Sequence, residues 1–303
     1  MTTLLDIPGS NPPNPFSAPI QALLTPSNHS PAPTPDQTAA YLVNTVTTSS
    51  DPAHALWELW DAFFTAVATS STSHDPHLAL LDALHAHPPT QLTVRVGSNV
   101  RSYTEADGKL HWQTLPRFSA QWRDVHDILE AWRGWDGVRD SGADNSSTLS
   151  IRGDEYFLRF CAFSAALLKV TNGKGQLHPI WVFYTCRNVL ECEGPRSCLP
   201  RAHRMPPEQL WALDVRVAAT WMRDGGRALW EADYEELRRH WAAALNDKTE
   251  LWPREYGLTR ERWVLWGERL RALSIEGSLD EETQAVVTEA ADVVSAILEE
   301  DSI

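Results

Sequence analysis

The sequence predicts an all-α protein, and three observations support that fold class. Apolar residues recur every three or four positions through most of the chain after residue 50, and this spacing places them on one face of a helix. The pairs Asp51-Pro52 and Asp75-Pro76 suit helix starts, because a capping carboxylate and a proline fit the first turn. Fourteen tryptophans among 303 residues offer large side chains for packing between helices. We expect a single multi-helix domain over 51–303 with about eight to ten helices.

The first 50 residues are predicted to form a disordered arm rich in Pro, Ser and Thr. The stretches "NPPNPFSAPI" and "TPSNHSPAPTPDQT" carry too few large apolar residues to build a core, and such a composition favours an extended chain. One part differs, since "DQTAAYLVNTVTT" at 36–48 has the spacing of a short helix that docks.

The first helices after the arm are predicted from Asp51 and from Asp75. Leucine and aromatic residues form the buried stripe of the first helix, and "HPP" at 87–89 ends the second because two prolines cannot continue it. Residues 92–114 then change character. "LTVRV" alternates as a strand does and "ADGK" is typical of a turn, which predicts one short β-hairpin.

The remaining segments return to helical spacing. Residues 154–170, "DEYFLRFCAFSAALLKV", are apolar around most of the helix circumference, so this helix is predicted to be central. "HPIWVFYTCRNVLECE" is its predicted partner, and Pro207 opens the next helix. "YEELRRHWAAALND", "RERWVLWGERL" and an amphipathic segment with many acids complete the chain.

Charge and composition exclude several classes of protein. The net charge is −14, which disfavours nucleic acid as a partner. No apolar run reaches the roughly 18–20 residues of a membrane span, and the N-terminus lacks the basic start of a secretory signal. Four cysteines in such a chain are expected to stay reduced. The predicted location is the cytosol, or alternatively the nucleus, with no membrane partner.

Two tryptophan pairs share one spacing, Trp57/Trp60 and Trp263/Trp266. A spacing of three places both indoles on one helix face, where they either pack between helices or form an aromatic box for a ligand. We favour packing. Arg262 and Arg269 are then expected to flank the face and to pair with Glu268 or Glu58.

The order of several segments is similar to that of a known family. "LWELWDAFFTAVA", "LPRFSAQWRD", "FLRFCAFSAALLKV…HPIWVFYTCRNVLE", "AATWMRDGGRALW" and "LTRERWVLWGERLRAL" together resemble a fungal family known only as a domain of unknown function, number three-six-three-two. The resemblance covers residues 54 to about 274. It implies an α-helical, non-secreted protein of filamentous fungi, and it implies no catalytic residues.

Two parts of the sequence contain possible metal ligands. The histidines His74, His77, His85 and His87 cannot converge on one ion if the segment is helical, so solvated helix ends are the better interpretation. Cys186, Cys192, Cys198 and His203 have ligand chemistry that suits zinc, but their spacing is longer than that of finger motifs. We predict no metal and no cofactor, with this cysteine set as the alternative.

Motifs of known catalytic centres are missing from the sequence. His126/Glu130, Asp154/Glu155 and Arg187/Glu191 are interpreted as surface pairs. Polar residues within the most apolar helices are more informative, because each must find a partner or face a cavity. They are Arg159, His178, Tyr184 and Arg187.

Two functions remain open. The first is a helical binding or interaction module whose partner is a protein or a hydrophobic small molecule. The second is a cofactor-independent enzyme of specialised metabolism, a cyclase or isomerase. For the enzyme, His178, Tyr184 and Arg187 are the catalytic candidates, and Trp181, Trp221 and Arg159 the candidates for ligand binding. A cavity of several hundred Å³ lined by these side chains would favour the enzyme.

Overall fold

The computed structural model describes residues 14–25, 32–70, 73–93, 103–135, 153–195, 205–253 and 257–300. These residues form eleven α-helices and one two-stranded sheet, which confirms the predicted all-α class. The helices are α1 (Ser17–Leu24), α2 (Pro35–Thr48), α3 (Pro52–Thr69), α4 (Asp75–Ala86), α5 (Phe118–Trp132), α6 (Gly153–Thr171), α7 (Ile180–Leu190), α8 (Pro207–Trp230), α9 (Tyr234–Asn246), α10 (Arg260–Ser274) and α11 (Glu281–Glu300). No helix in these ranges is long and apolar enough to cross a lipid bilayer.

The chain divides into two compact units, an N-terminal unit of residues 1–130 and a C-terminal unit of residues 131–303. The sequence predicts one domain that begins at residue 51. The boundary between the two units of the structure falls within α5. Each unit has its own buried apolar core.

The predicted disordered arm contains two helices of the N-terminal unit, α1 and α2. Helix α2 is the docking helix predicted at 36–48, whereas α1 departs from the prediction. Phe16 and Ile20 are fully buried at α1. At α2 the side chain of Thr34 accepts a hydrogen bond from the Gln37 amide while the Gln37 side chain accepts one from Thr34, and this reciprocal cap stabilises the first turn. Few apolar residues are needed to order these two helices, because α1 and α2 pack on α3 and α4 and do not form a core of their own.

The two Asp-Pro helix starts have different outcomes. Asp51 caps α3 as predicted, since its side chain accepts a hydrogen bond from the amide of His54 at 3.1 Å. At α4 the capping position is His74, and Asp75 is already the first helical residue. The expectation that the nearby histidines are solvated is wrong for His77, which is fully buried against Phe63.

The predicted hairpin is present as a short antiparallel pair, β1 (Thr90–Gln91) and β2 (Lys109–Leu110). Gly108 has a positive φ of 73° and its amide donates to the carbonyl of Glu105 at 2.9 Å. This is the turn predicted from "ADGK", since glycine adopts such a φ without strain. The strand expected at "LTVRV" lies mostly outside the described residues.

Three parallel helices organise the C-terminal unit, α6, α8 and α11. Arg216 and Arg223 of α8 pair with Glu282 and Glu289 of α11, respectively. The two arginines are seven residues apart, and so are their partners in the same order, which shows that α8 and α11 run in the same direction. Helix α6 runs in the same direction, because Lys169 near its end pairs with Asp224 near the end of α8 at 2.9 Å. Their N-termini therefore lie at the same end of the unit.

Helices α7 and α10 complete that core. Helix α7 packs antiparallel to α8, because Cys186 contacts Ala218 while Val182, earlier on α7, lies beside Gly225, later on α8. Gly225 allows the close approach, since a Cβ at this position would lie 2.8 Å from Val182. Helix α10 packs on α11 and α7. Helix α9 is bent at Trp241, where φ is −129°, and its buried side chains are Leu237 and Leu245.

Most tryptophans serve as core side chains. Eight of the fourteen are buried and only two are exposed, which agrees with the packing interpretation. The buried indoles are Trp60, Trp112, Trp122, Trp211, Trp221, Trp252, Trp263 and Trp266.

Candidate functional site

The candidates on α7 share one helix face. Trp181, Tyr184 and Arg187 follow one another at intervals of three residues, and His178 precedes them at the same interval. All four are half-buried, whereas the opposite face of α7 is buried in the core. The structure therefore brings these predicted residues together along one stripe, which lies beside α9.

His178 is engaged at the start of α7. Its Nδ1 accepts a hydrogen bond from the amide of Ile180 at 3.0 Å, and its ring centre lies 4.1 Å from that of Trp241. Burial lowers the pKa of His178, an effect that Glu236 opposes and His240 reinforces. The ring is thus held neutral at physiological pH, and it connects α7 to the bend in α9.

Arg187 anchors the other end of the same stripe. Its guanidinium donates to the carbonyl of Ala244 and to the carboxylate of Asp247, both at 3.2 Å, and lies 5.7 Å from the ring centre of Tyr184. The predicted pair between Arg187 and Glu191 is therefore wrong. The arginine instead binds the C-terminal end of α9, where a cation also meets the negative end of the helix dipole.

Trp181, Trp221 and Arg159 were the candidates for ligand binding. Trp181 lies 5.8 Å from Tyr184, centre to centre. Trp221 is fully buried on α8. Arg159 pairs with Glu155, one turn earlier on α6, at 3.1 Å.

The cysteine alternative for zinc is only partly described. Cys186 is fully buried and its thiol donates to the carbonyl of Ala218 at 3.8 Å. Burial raises the pKa of the Cys186 thiol, which disfavours the thiolate that a metal requires. Cys192 donates to the carbonyl of Asn188 at 3.3 Å, and Cys198 and His203 lie outside the described residues.

One other group of possible ligands lies on α5. Donor atoms of His126, Asp127 and Glu130 approach within 4.8 Å of one another. Nδ1 of His126 lies 3.4 Å from Asp127, and its ring stacks on Trp122 at 5.1 Å. The sequence had placed His126 in a surface pair with Glu130.

A buried ion pair joins α7, α9 and α10. Glu191 and Arg262 are both fully buried, and Arg262 donates to the two carboxylate oxygens at 2.6 and 2.9 Å. Arg262 also donates to the carbonyls of Leu245 and Gly257 at 2.7 and 2.9 Å. The expected partners Glu268 and Glu58 are therefore wrong for this arginine.

Further donors complete the same cluster. Trp266 donates its indole N–H to Glu191 at 2.9 Å, and Thr249 donates its hydroxyl to Glu191 at 2.7 Å. The guanidinium of Arg262 lies 4.8 Å from the ring centre of Phe183 and 5.5 Å from that of Trp252. Because both Glu191 and Arg262 have several hydrogen-bond partners, we interpret this cluster as structural and not as a ligand site.

A cleft of about 500 Å³ lies where the three parallel helices begin. Its walls are the first turns of α6 and α11, the first half of α8 and the residues just before α8 and α11. The lining is mixed, with apolar and charged side chains. It comprises Asp154, Glu155, Leu158, Met205, Glu208, Gln209, Ala212, Leu213, Arg216, Ser278, Asp280 and Thr283.

The charge of the cleft is negative. Four carboxylates and one guanidinium line it, and the guanidinium, Arg216, pairs with Glu282. Asp280 accepts a hydrogen bond from the amide of Thr283 at 2.7 Å, and this bond is the main reason why the pKa of Asp280 is lowered. Asp280 is thus ionised at neutral pH.

The sequence does not predict this cleft. Asp154 and Glu155 are interpreted there as a surface pair, and the lining includes none of the candidates His178, Trp181, Tyr184, Arg187 and Trp221. Arg159 is connected to the cleft through its ion pair with Glu155, which is one of the lining residues. The sequence feature that could have indicated the cleft is an acidic residue at the start of each of three helices. A sequence does not show that those helices are parallel, so the acids could not be placed together.

A family model described as "Protein of unknown function (DUF3632)" matches residues 60–270, which is more than half of the chain. No curated protein and no solved structure matches the sequence.

Proposed function

The chain belongs to the DUF3632 family of proteins of unknown function, and we propose that it is a helical binding module whose ligand site is the cleft between α6, α8 and α11. The observation that carries the proposal is the cleft itself. Its volume of about 500 Å³ falls within the range of known ligand pockets, roughly 300–1,000 Å³. The walls from α6 and α8 lie within the matched residues, and the wall from α11 lies beyond them.

The lining supports binding because it combines two kinds of surface. Leu158, Met205, Ala212 and Leu213 supply apolar area, and the acidic side chains supply a few fixed polar groups. Pockets that hold ligands typically have this composition, with apolar contacts for affinity and polar groups for orientation. The three helices that form the walls are joined by ion pairs and close packing, so the cleft is preformed.

The cyclase or isomerase suggested by the sequence stays a prediction. Its candidates His178 and Arg187 contact α9, and Trp221 lies in the core. Their positions favour the binding module over the enzyme. The setting implied by the sequence, the cytosol or nucleus of a filamentous fungus, also stays a prediction.

A cleft-filling variant tests the proposal. Ala212 is half-buried on the wall of the cleft, so Ala212→Trp should occupy the space with little change to the core. Ala242→Trp makes the same substitution at a half-buried position on α9 and serves as the control. Ligand-observed NMR with a fragment library should give hits with the wild-type protein and with Ala242→Trp that disappear with Ala212→Trp.

Two results would contradict the proposal. One is a screen without hits for the wild-type protein. The other is a set of hits that Ala212→Trp binds as well as Ala242→Trp does, because those fragments would then bind elsewhere.

A further inference from the structure

We infer that His126, Asp127 and Glu130 of α5 form a binding site for one zinc ion. Their donor atoms, one imidazole nitrogen and two carboxylate oxygens, lie within 4.8 Å of one another. No other group of three such donors lies this close together among the residues that the structure describes. All three residues belong to the N-terminal unit, so the inference does not depend on the cleft of the C-terminal unit.

The separation of His126 and Asp127 fits two ligands of one ion. Nδ1 of His126 lies 3.4 Å from a carboxylate oxygen of Asp127, whereas a hydrogen bond from a charged nitrogen to a carboxylate is typically about 2.7–2.9 Å long. Two ligands at about 2.0–2.2 Å from a tetrahedral zinc ion lie about 3.3–3.6 Å apart. The observed separation falls within the second range, so an ion between these two atoms requires little movement of either side chain.

Glu130 supplies the third ligand from the next turn of the same helix. Residues four apart lie on one face of a helix, so the side chains of His126 and Glu130 are neighbours. To complete a tetrahedral set, the Glu130 oxygen must approach the other donors by up to about 1.5 Å. The side chain is half-buried, and rotation about its three bonds allows that approach. The fourth position of the ion is then open to water or another ligand.

The imidazole of His126 is held in position by its surroundings. His126 is only 7% exposed, and its ring stacks on Trp122 with the ring centres 5.1 Å apart. His126 and Glu130 also have further interactions, and these are compatible with the ion. A ligating imidazole uses one nitrogen and a ligating carboxylate can use one oxygen, and their other polar atoms commonly hydrogen-bond to groups around the metal. Side chains that are already fixed lower the entropic cost of binding.

The donor types favour zinc over other common divalent cations. Magnesium and calcium prefer sets of six or more oxygen ligands, whereas one imidazole with two carboxylates suits zinc. Copper(II) favours a square-planar set, in which neighbouring ligands lie closer together than in a tetrahedral one. The separation of 3.4 Å between His126 and Asp127 matches the tetrahedral arrangement.

Two other histidines of the same unit provide a contrast. His111 lies 3.0 Å from Asp107, and His54 lies 3.5 Å from Glu58. Neither pair has a third donor nearby within the part of the chain that the structure describes. Zinc sites in proteins use at least three protein ligands, so these two pairs should bind zinc weakly. The pair at His54 therefore serves as a control.

Calorimetric titration of the metal-free protein with zinc chloride tests the inference, with magnesium chloride as the comparison. We expect one zinc ion per chain, bound at least about tenfold more tightly than magnesium. Cobalt(II) serves as the spectroscopic probe, because a tetrahedral cobalt site absorbs visible light far more strongly than an octahedral one. The absence of zinc binding, or equal binding of zinc and magnesium, would overturn the inference.

Replacement of the imidazole locates the ion. Loss of a group that only orients a ligand typically costs about 10–100-fold in metal affinity. His126→Gln, which removes a ligand, should therefore weaken zinc binding at least about tenfold and abolish the cobalt absorption. His54→Gln, at an exposed position, should leave both unchanged. If His126→Gln binds zinc as tightly as the wild-type protein does, the ion lies elsewhere and the inference is wrong.

Carboxylate variants decide the question if His126→Gln does not fold. Asp127 is exposed and Glu130 is half-buried, so Asp127→Asn combined with Glu130→Gln should fold and should weaken zinc binding at least about tenfold. Asp82→Asn combined with Glu58→Gln removes the same charge from α4 and α3 and should leave binding unchanged. Circular dichroism checks the fold of each variant. Equal weakening in both double variants would mean that zinc responds only to the net charge of the chain, and the inference would fail.

Discussion

The two tryptophan pairs have the same spacing and different surroundings. In the N-terminal unit, Trp60 is buried and donates its indole N–H to the carbonyl of Pro116 at 2.7 Å, whereas Trp57 is half-buried and stacks on His54. In the C-terminal unit, Trp263 and Trp266 are both buried. There the acceptor for Trp266 is the carboxylate of Glu191, which also binds Arg262.

The difference shows that one sequence pattern can serve two kinds of core. The core around Trp60 is aromatic, with Phe118 edge-on at 5.1 Å and a neutral hydrogen bond. The core around Trp266 encloses a charged pair, so removing one group there leaves an unpaired charge. Substitutions at corresponding positions should therefore have unequal costs.

The largest effect is expected at Arg262. Arg262→Ala leaves the buried carboxylate of Glu191 without its cation, and such a loss typically costs about 3–5 kcal/mol. The double variant Glu191→Leu with Arg262→Met removes both charges and should recover most of that loss. The free energy of unfolding of both variants is measured by denaturant titration, with hydrogen exchange of peptides from residues 131–303 as the probe of this unit.

Arg271→Ala is the control on the same helix. Arg271 is exposed and bonds to Ser295, so its replacement should change the free energy of unfolding by less than about 0.5 kcal/mol. If Arg262→Ala is as mild as this control, the buried pair does not stabilise the unit.

A second effect concerns pH and the N-terminal unit. Burial is the main cause that lowers the pKa of His77 to about 4, below the value of about 6.5 that an unfolded chain gives. The unfolded state therefore binds the proton more readily, and the folded state loses stability as the pH falls from 6.5 to 4. The loss should reach about 3 kcal/mol at the lower pH.

His77→Leu should remove that part of the pH dependence. His85→Leu, at an exposed position on α4, is the control and should keep it. The free energy of unfolding of both variants is measured at pH 7 and pH 4. An unchanged slope in His77→Leu would show that other groups cause the acid sensitivity.

The smallest effect compares the two indole hydrogen bonds directly. Trp266→Phe removes a bond to a carboxylate, which typically contributes about 1.5–3 kcal/mol, and Trp60→Phe removes a bond to a carbonyl, which contributes about 0.5–1.5 kcal/mol. Both changes remove the same ring volume, so the difference between the two losses of unfolding free energy reports the effect of the hydrogen-bond acceptor. A cost for Trp60→Phe equal to or above that of Trp266→Phe would contradict the comparison.

The sequence predicted the helices well where periodicity and caps agree. Asp51 and Pro207 mark helix starts in the structure as they do in the sequence. Helix α1 was not predicted, because its few apolar residues gain their burial from α3 and other distant segments. His77 was misjudged for a similar reason, since a short helix does not reveal which side its neighbours cover.

Long-range partners could not be read from local spacing. The sequence rules pair Arg187 with Glu191, four residues later, but the structure pairs each with a residue more than 50 positions away. The cleft has the same origin. Asp154, Glu208 and Asp280 are far apart in sequence and meet only because three helices run in parallel.

Helix α9 is held in place mainly by contacts at its C-terminal end. Arg187 and Arg262 hold the carbonyls of Ala244 and Leu245, while residues 238–240 are exposed and the bend falls at Trp241. Thermal opening of this helix should therefore begin in its first two turns and stop at the bend. Proteases would then find their earliest cleavage sites in the C-terminal unit before Trp241, with the rest of that unit still folded.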